Sequence, residues 1–189
     1  MAVVKPLLTV DDIERMIRNG EIDPDREFEL VNGEIVWMAP AHYPQTTICA
    51  LITIELGPFA KCIGALLFDS SGGFRVGDRN HQLRAPDVSL VVKERRHIAR
   101  AGSFQSEAPD LAVEVLSDDQ MGRVYQRTKT GEYFAAGAKV IWFVDYRTHS
   151  VMVYEAGKSE FTVYSESDYI TLDQIAPGFS CRVSEFFPD

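Results

Sequence analysis

The sequence predicts an α/β fold with a mixed central β-sheet flanked by helices and with an N-terminal β-hairpin. Helix-like and strand-like patterns alternate along the chain in the order helix, hairpin, helix, several strands, helix and closing strands. A helical pattern over residues 118–136 separates two strongly apolar stretches, and such a helix suits a crossover between parallel neighbours of one sheet. The 189 residues contain no linker or internal repeat, which indicates one domain over residues 1–189.

The N-terminal third predicts a short helix, a hairpin and a long helix. Thr9 is the expected N-cap of the first helix, because two aspartates follow it in the first turn. Residues 27–39 alternate between apolar and polar side chains around Asn32 and Gly33, a pair that strongly favours a hairpin turn. Residues 45–62 carry apolar side chains at helical spacing, which predicts an amphipathic helix.

The rest of the chain predicts strands interrupted by one helix. Ser117 and Gln120 fit a capping box for that helix, and Gly137 fits its C-terminal stop. The basic segment 93–105 is expected to be a surface loop or a short helix. The predicted strands cover residues 65–69, 74–76, 82–92, 111–116, 139–145, 150–154 and 161–164.

Composition and net charge reduce the number of function classes that the chain could belong to. Apolar residues make up 46% of the chain, enough for a buried core, and no apolar run approaches the roughly 20 residues of a membrane span. The first six residues lack the apolar stretch of a signal peptide, so a cytoplasmic location is expected. The net charge of −9 argues against tight, sequence-blind DNA binding, which depends on lysine and arginine. It does not exclude an enzyme whose acidic residues bind metal ions.

Three charged residues interrupt apolar patterns in elements that should form the core. Asp87 follows Pro86 at the start of one strand, and Glu114 lies in the middle of another. Lys129 shares a helix face with Tyr125 and with a second tyrosine, so it is expected to cover the sheet. A buried charge is costly unless it meets an opposite charge, a metal or hydrogen-bond donors. We therefore expect the three side chains to meet.

Two carboxylates and a lysine can serve metal-dependent hydrolysis. Asp87 and Glu114 would hold a hard divalent cation, most simply Mg²⁺ or else Mn²⁺. Such an ion acidifies a bound water and offsets charge on a phosphoryl oxygen, while Lys129 could orient the water or stabilise the transition state. Phosphodiester hydrolysis fits these parts best.

The same residues resemble the PD-(D/E)XK nuclease superfamily. Over about residues 9–187, the chain is similar more closely to the bacterial Uma-type restriction endonuclease family. Five stretches in the same order carry this resemblance: FELVNGEIV (28–36), RAPDV (84–88), PDLAVEVLS (109–117), Lys129 with Tyr133 and Gly137, and WFVD (142–145).

The resemblance implies a restriction-endonuclease-like core and a nuclease acting on nucleic acid, most simply a DNA endonuclease. It implies Asp87 and Glu114 as metal ligands, the Val115 carbonyl as a third, and Lys129 as the catalytic lysine. Position 116 is leucine where the superfamily pattern has lysine, so the lysine would come from the following helix, at Lys129. A homodimer that cuts both strands is expected from the resemblance alone.

Four further residues have two interpretations each. Glu29 and Glu34 flank the hairpin turn, where they could serve the site or simply face solvent. His42 precedes the long helix and could contact metal or phosphate, or lie in an exposed loop. Arg84 could contact substrate phosphate or lie on a surface strand. The basic cluster at residues 93–100 could follow a DNA backbone or form a solvated loop.

Two other functions stay open at this point. The chain could be a catalytically inactive nuclease-like module for binding or assembly, an interpretation that its net acidity favours. It could also be a metal-dependent hydrolase of a small phosphoester, which a site closed to a duplex would favour.

Overall fold

The computed structural model describes residues 6–78, 80–117 and 122–188, without the side chain of Arg123, and places three α-helices and twelve β-strands in them. The helices are α1 (Val10–Arg18), α2 (Gln45–Ile63) and α3 (Arg123–Ala135). The strands are β1 (Phe28–Val31), β2 (Glu34–Trp37), β3 (Leu66–Asp69), β4 (Phe74–Arg75), β5 (Leu83–Arg84), β6 (Val88–Val91), β7 (Leu111–Val115), β8 (Val140–Asp145), β9 (Ser150–Glu155), β10 (Thr162–Ser165), β11 (Tyr169–Thr171) and β12 (Ser180–Arg182). Short 3₁₀ helices cover Lys93–Ile98 and Val183–Phe186.

The central sheet has six strands in the order β10-β9-β8-β7-β6-β3. Strands β7 and β8 are parallel, with α3 between them in sequence, and the other pairs are antiparallel. The predicted mixed sheet, with a helix connecting two parallel neighbours, is therefore confirmed.

A layer of helical structure covers each face of this sheet. Helix α2 packs on one face through Ile48, Ile52 and Leu56, which are fully buried. Helix α3 packs on the other face, where Tyr133 contacts a core that contains Ala112 and Leu116 of the β7 region. Alternate residues of β7 thus face opposite helices, and Glu114 shares the face of Ala112 and Leu116.

Helix α2 also has the length and apolar composition of a membrane-crossing helix, and it alone does so among the described residues. Core helices of soluble proteins have the same length and composition, and the buried stripe of α2 packs on the sheet. The finding is therefore weak evidence for a membrane span.

A second sheet, in the order β2-β1-β5-β4, contains the predicted hairpin. Asn32 and Gly33 both have positive φ, 49° and 78°, as a two-residue hairpin turn requires. Helix α1 packs on one face of this sheet, with Thr9 as its N-cap and Asp12 completing a capping box. The opposite face carries Glu29.

The structure divides one predicted strand between the two sheets. Residues 82–92 were predicted as one strand, and this is wrong: β5 belongs to the small sheet and β6 to the central sheet. The chain passes between the sheets at residues 85–87, where Pro86 has no N–H to donate to a ladder. The predicted start of the third helix, and its capping box with Gln120, involve residues 118–121, which lie outside the described residues.

Candidate active site

Asp87 and Glu114 lie opposite each other on two neighbouring strands of the central sheet. Strands β6 and β7 are antiparallel, and their register pairs Val88 with Val113. Continued by one residue, this register places Asp87, directly before β6, across from Glu114. Directly opposite residues project from the same face of a sheet. The predicted pair is therefore brought together, and its metal-binding role stays a prediction.

Asp87 accepts hydrogen bonds from two other parts of the chain. The Val115 N–H donates to Asp87 Oδ2 at 2.6 Å. The Gln45 side-chain amide donates to Asp87 Oδ1 at 3.3 Å and to the Val115 carbonyl at 3.4 Å. Burial, and then the negative charge of Glu114, raise the pKa of Asp87 to about 7. The donors to Asp87 among the described residues are neutral groups, whereas the Lys129 ammonium group pairs with Glu114 and Glu29.

Glu114 has a donor on each oxygen. Lys129 Nζ donates to Oε2 at 2.8 Å, and the Tyr133 hydroxyl donates to Oε1 at 2.7 Å. Glu114 is only 4% exposed and Lys129 only 2%. Burial disfavours the charged lysine, but Glu114 and then Glu29 raise the pKa of Lys129 well above its ordinary value. Lys129 is therefore an ammonium ion fixed beside a carboxylate.

The ion pairs continue into the small sheet. Lys129 Nζ lies 3.2 Å from Glu29 Oε1, and Arg84 Nη1 donates to Glu29 Oε2 at 2.6 Å. Arg84 also donates to both oxygens of Glu132 on α3, at 2.7 and 3.0 Å. The six members of this charge network are Asp87, Glu114, Lys129, Glu29, Arg84 and Glu132.

Among the described residues, the charge network holds four carboxylates and two cations, so two negative charges are in excess once Asp87 has lost its proton. A divalent cation carries the charge that would balance them. The donor set of Asp87, Glu114 and the Val115 carbonyl is all oxygen, which suits a hard ion such as Mg²⁺. The described residues contain no group of three or more His, Cys, Asp or Glu side chains able to hold a metal. Ligands of other kinds, such as water and neutral protein oxygens, would therefore complete the shell.

The four accessory residues have different surroundings. Glu29 and Arg84 are buried, so the solvent-facing interpretation of each is wrong. Arg84 is held by two carboxylates, which leaves little of its guanidinium for a substrate phosphate. Glu34 and His42 are exposed, and within the described chain neither side chain has a hydrogen bond or ion pair with Asp87, Glu114 or Lys129.

The basic cluster lies away from this site. The 3₁₀ helix Lys93–Ile98 follows the end of β6 opposite to Asp87. Arg95, inside that helix, turns inward, where its guanidinium meets Glu107, the Ala108 carbonyl and Asp110. Contacts of this cluster with a phosphate at Asp87 would have to span the length of the strand.

Three residues around the site have no assigned role in the sequence prediction: Gln45, Tyr133 and Glu132. The helical spacing of Tyr133 four residues after Lys129 could have indicated its contact with Glu114. Glu132 lies three residues after Lys129, but the pattern does not show that it meets Arg84. Gln45 has no local signal, because its partners are 42 and 70 residues away in sequence.

Comparisons with known proteins point to one family. A family model described as Uma2, putative restriction endonuclease, matches residues 10–184. Among solved structures, the chain is similar to a crystal structure described as a putative nuclease belonging to DUF820 from Anabaena variabilis ATCC 29413. The TM-score is 0.70 at 18% identity, covering 95% of this chain and 97% of that one, so the likeness shows the fold. No curated protein matches significantly.

Proposed function

The chain belongs to the family described as Uma2, putative restriction endonuclease, as its motifs predicted, and on this premise we propose that it is a Mg²⁺-dependent DNA endonuclease. The observation that carries the proposal is the excess of carboxylates over cations around Asp87 and Glu114, which amounts to two negative charges once Asp87 is ionised. Buried carboxylates with no cationic counterpart are expensive, and a divalent ion would balance them.

Some residues of the site would bind the cation, and others would orient the side chains that bind it. Asp87, Glu114 and the Val115 carbonyl would bind the cation, which would supply an acidified water and offset charge on a phosphoryl oxygen. Lys129 is charged, so it does not accept a proton from water. It holds Glu114 Oε2, and Tyr133 holds Oε1, which leaves the other lone pairs of Glu114 for the ion. Both are positioning residues on this account.

The test is cleavage of supercoiled plasmid by the purified protein with Mg²⁺ or Mn²⁺. We expect Asp87→Asn and Glu114→Gln each to lower the rate by roughly 100-fold or more, because each removes a charged ligand. Glu160 is an exposed glutamate, so the matched change Glu160→Gln should leave the rate unchanged. Direct appearance of linear product would support the expected homodimer.

Failure to cleave plasmid, single-stranded DNA or RNA with either ion would overturn the nuclease proposal. Cleavage of RNA alone would correct the substrate. The second candidate function is a catalytically inactive module that binds a protein. One observation favours it: the net charge of −9 opposes binding to nucleic acid but does not oppose binding to a protein. Binding to a protein partner that is unaffected by Asp87→Asn, together with no cleavage, would favour that module.

A further inference from the structure

Gln45 places a neutral amide between two of the proposed metal ligands. It is the first residue of α2, and its Nε2 lies 3.3 Å from Asp87 Oδ1 and 3.4 Å from the Val115 carbonyl. Both neighbours accept hydrogen bonds, so the NH₂ side of the amide faces them. These contacts are long for N–H···O hydrogen bonds, which cluster near 2.9–3.0 Å.

Atoms that bind one cation also lie at about this distance from one another. Two oxygens at a right angle around Mg²⁺, with bonds of about 2.0–2.1 Å, lie roughly 3 Å apart. A small contraction would make Gln45, Asp87 and Val115 neighbours in one such shell. A half-turn of the terminal torsion exchanges Nε2 for Oε1, and amide oxygens are ordinary ligands of hard cations.

The rest of α2 offers no competing ligand at this point. Cys49 lies one turn after Gln45, close enough to Asp87 and Glu114 for their charges to act on its thiol. Burial and the charge of Asp87 raise the pKa of its thiol, so it stays neutral. A neutral thiol is a poor ligand for a hard ion. Gln45 is thus the side chain of α2 whose chemistry suits the site.

We propose that Gln45 is a side-chain metal ligand whose amide turns to present Oε1 when a divalent cation binds. In the absence of the ion, its NH₂ group donates to Asp87 and to the Val115 carbonyl and so offsets part of their negative potential. This inference rests on the metal site of the proposed function, but not on nuclease activity.

The test is Mn²⁺ binding, measured by the electron paramagnetic resonance of free Mn²⁺. Gln45→Met keeps the side-chain length but removes the amide oxygen, and we expect it to weaken binding roughly tenfold. Gln45→Glu keeps an oxygen at the same place and adds a charge, and we expect it to tighten binding by a similar factor. Circular dichroism checks that each variant is folded.

The outcomes separate the two proposals. Wild-type affinity or tighter binding in Gln45→Met, with binding lost in Asp87→Asn, would overturn the role of Gln45 and leave the metal site standing. Gln45→Glu that binds no more tightly than wild type would count against it in the same way. A wild-type protein that binds no Mn²⁺ would overturn both. Binding without DNA cleavage would overturn the nuclease proposal and leave the role of Gln45 intact.

Discussion

Lys129 is a cation that the fold surrounds with carboxylates instead of water. Its ammonium group meets Glu114 at 2.8 Å and Glu29 at 3.2 Å, with the Tyr125 ring centroid 5.1 Å away. A lysine in these surroundings keeps its proton, so under the proposed function it would orient Glu114 and supply positive charge. Because the same contacts neutralise buried carboxylates, Lys129 should also stabilise the fold.

We expect Lys129→Met to destabilise the fold by about 3–5 kcal/mol, because Glu114 would stay buried without its cation while Glu29 would keep only Arg84. Urea unfolding measures the change. Lys158→Met is the control, since Lys158 pairs with Glu155 at the surface and its loss should cost about 0–1 kcal/mol. The double variant Lys129→Met with Glu114→Gln should recover part of the loss, because it neutralises the carboxylate that the single variant leaves without a cation. A loss below about 1 kcal/mol in Lys129→Met would contradict the argument.

The raised pKa of Asp87 predicts how metal binding depends on pH. Its folded pKa of about 7 lies above the ordinary value near 3.9, so the metal-free fold binds this proton more tightly than the unfolded chain. The stability that this group contributes is therefore present below about pH 4 and is lost as pH rises through about 7. A cation needs the carboxylate form, so Mn²⁺ affinity should fall about tenfold per unit below about pH 7.

Calorimetric titrations with Mn²⁺ from about pH 5 to about pH 8 test this prediction. The affinity should level off above about pH 7, where Asp87 has lost its proton. A constant affinity across the whole range would mean that the carboxylate is already ionised in the metal-free protein, and would contradict the assignment.

At this scale, the sequence is informative only where a residue breaks a pattern. Asp87, Glu114 and Lys129 interrupt apolar stretches of core elements, and each could be identified for that reason. Gln45 begins a helix, where a polar residue breaks nothing, and its role depends on how α2 lies on strands distant in sequence. Glu29 fitted an alternating hairpin, whose pattern does not show that Lys129 covers the glutamate face.

At the scale of elements, the hairpin of β1 and β2 is the part that local chemistry determines most fully. Asn32 and Gly33 specify its turn, and its register pairs Glu29 with Val36. Gly33 also receives and donates backbone hydrogen bonds that tie the turn to Leu8 and His81. The division of residues 82–92 between two sheets was missed because it depends on packing, although Pro86 marks the point of division.

Gly33→Ala should destabilise the protein by roughly 1–3 kcal/mol, because φ is +78° and an added Cβ would lie 2.7 Å from Leu7 Cβ. Gly57→Ala is the matched control. Gly57 lies inside α2 with nothing within 4 Å of a built Cβ, so alanine should stabilise the helix by up to about 1 kcal/mol. Thermal unfolding of both variants decides the matter. Effects of the same sign would contradict this account.

For the whole molecule, the charge network is where the two sheets meet. Glu29 and Arg84 lie on the small sheet. Asp87 directly precedes β6 of the central sheet, and Glu114 lies on β7. Lys129 of α3 bridges the two sheets. An ion bound at Asp87 and Glu114 would therefore stabilise the contact between the two sheets and α3. It would also reduce locally the net charge of −9 that opposes the approach of a polyanion.

This arrangement predicts that divalent ions raise the melting temperature of the protein. At 100 times the dissociation constant, binding adds about 2.7 kcal/mol of stability, which for a chain of this size corresponds to roughly 5–10 °C. Differential scanning calorimetry with Mn²⁺ or Mg²⁺ measures the shift. Asp87→Asn should melt higher than wild type without metal, because it removes repulsion with Glu114, and should show no shift with metal. An equal shift in both proteins would place the ion elsewhere, and a variant that melts lower than wild type without metal would contradict a net destabilisation of the metal-free fold by the Asp87 carboxylate.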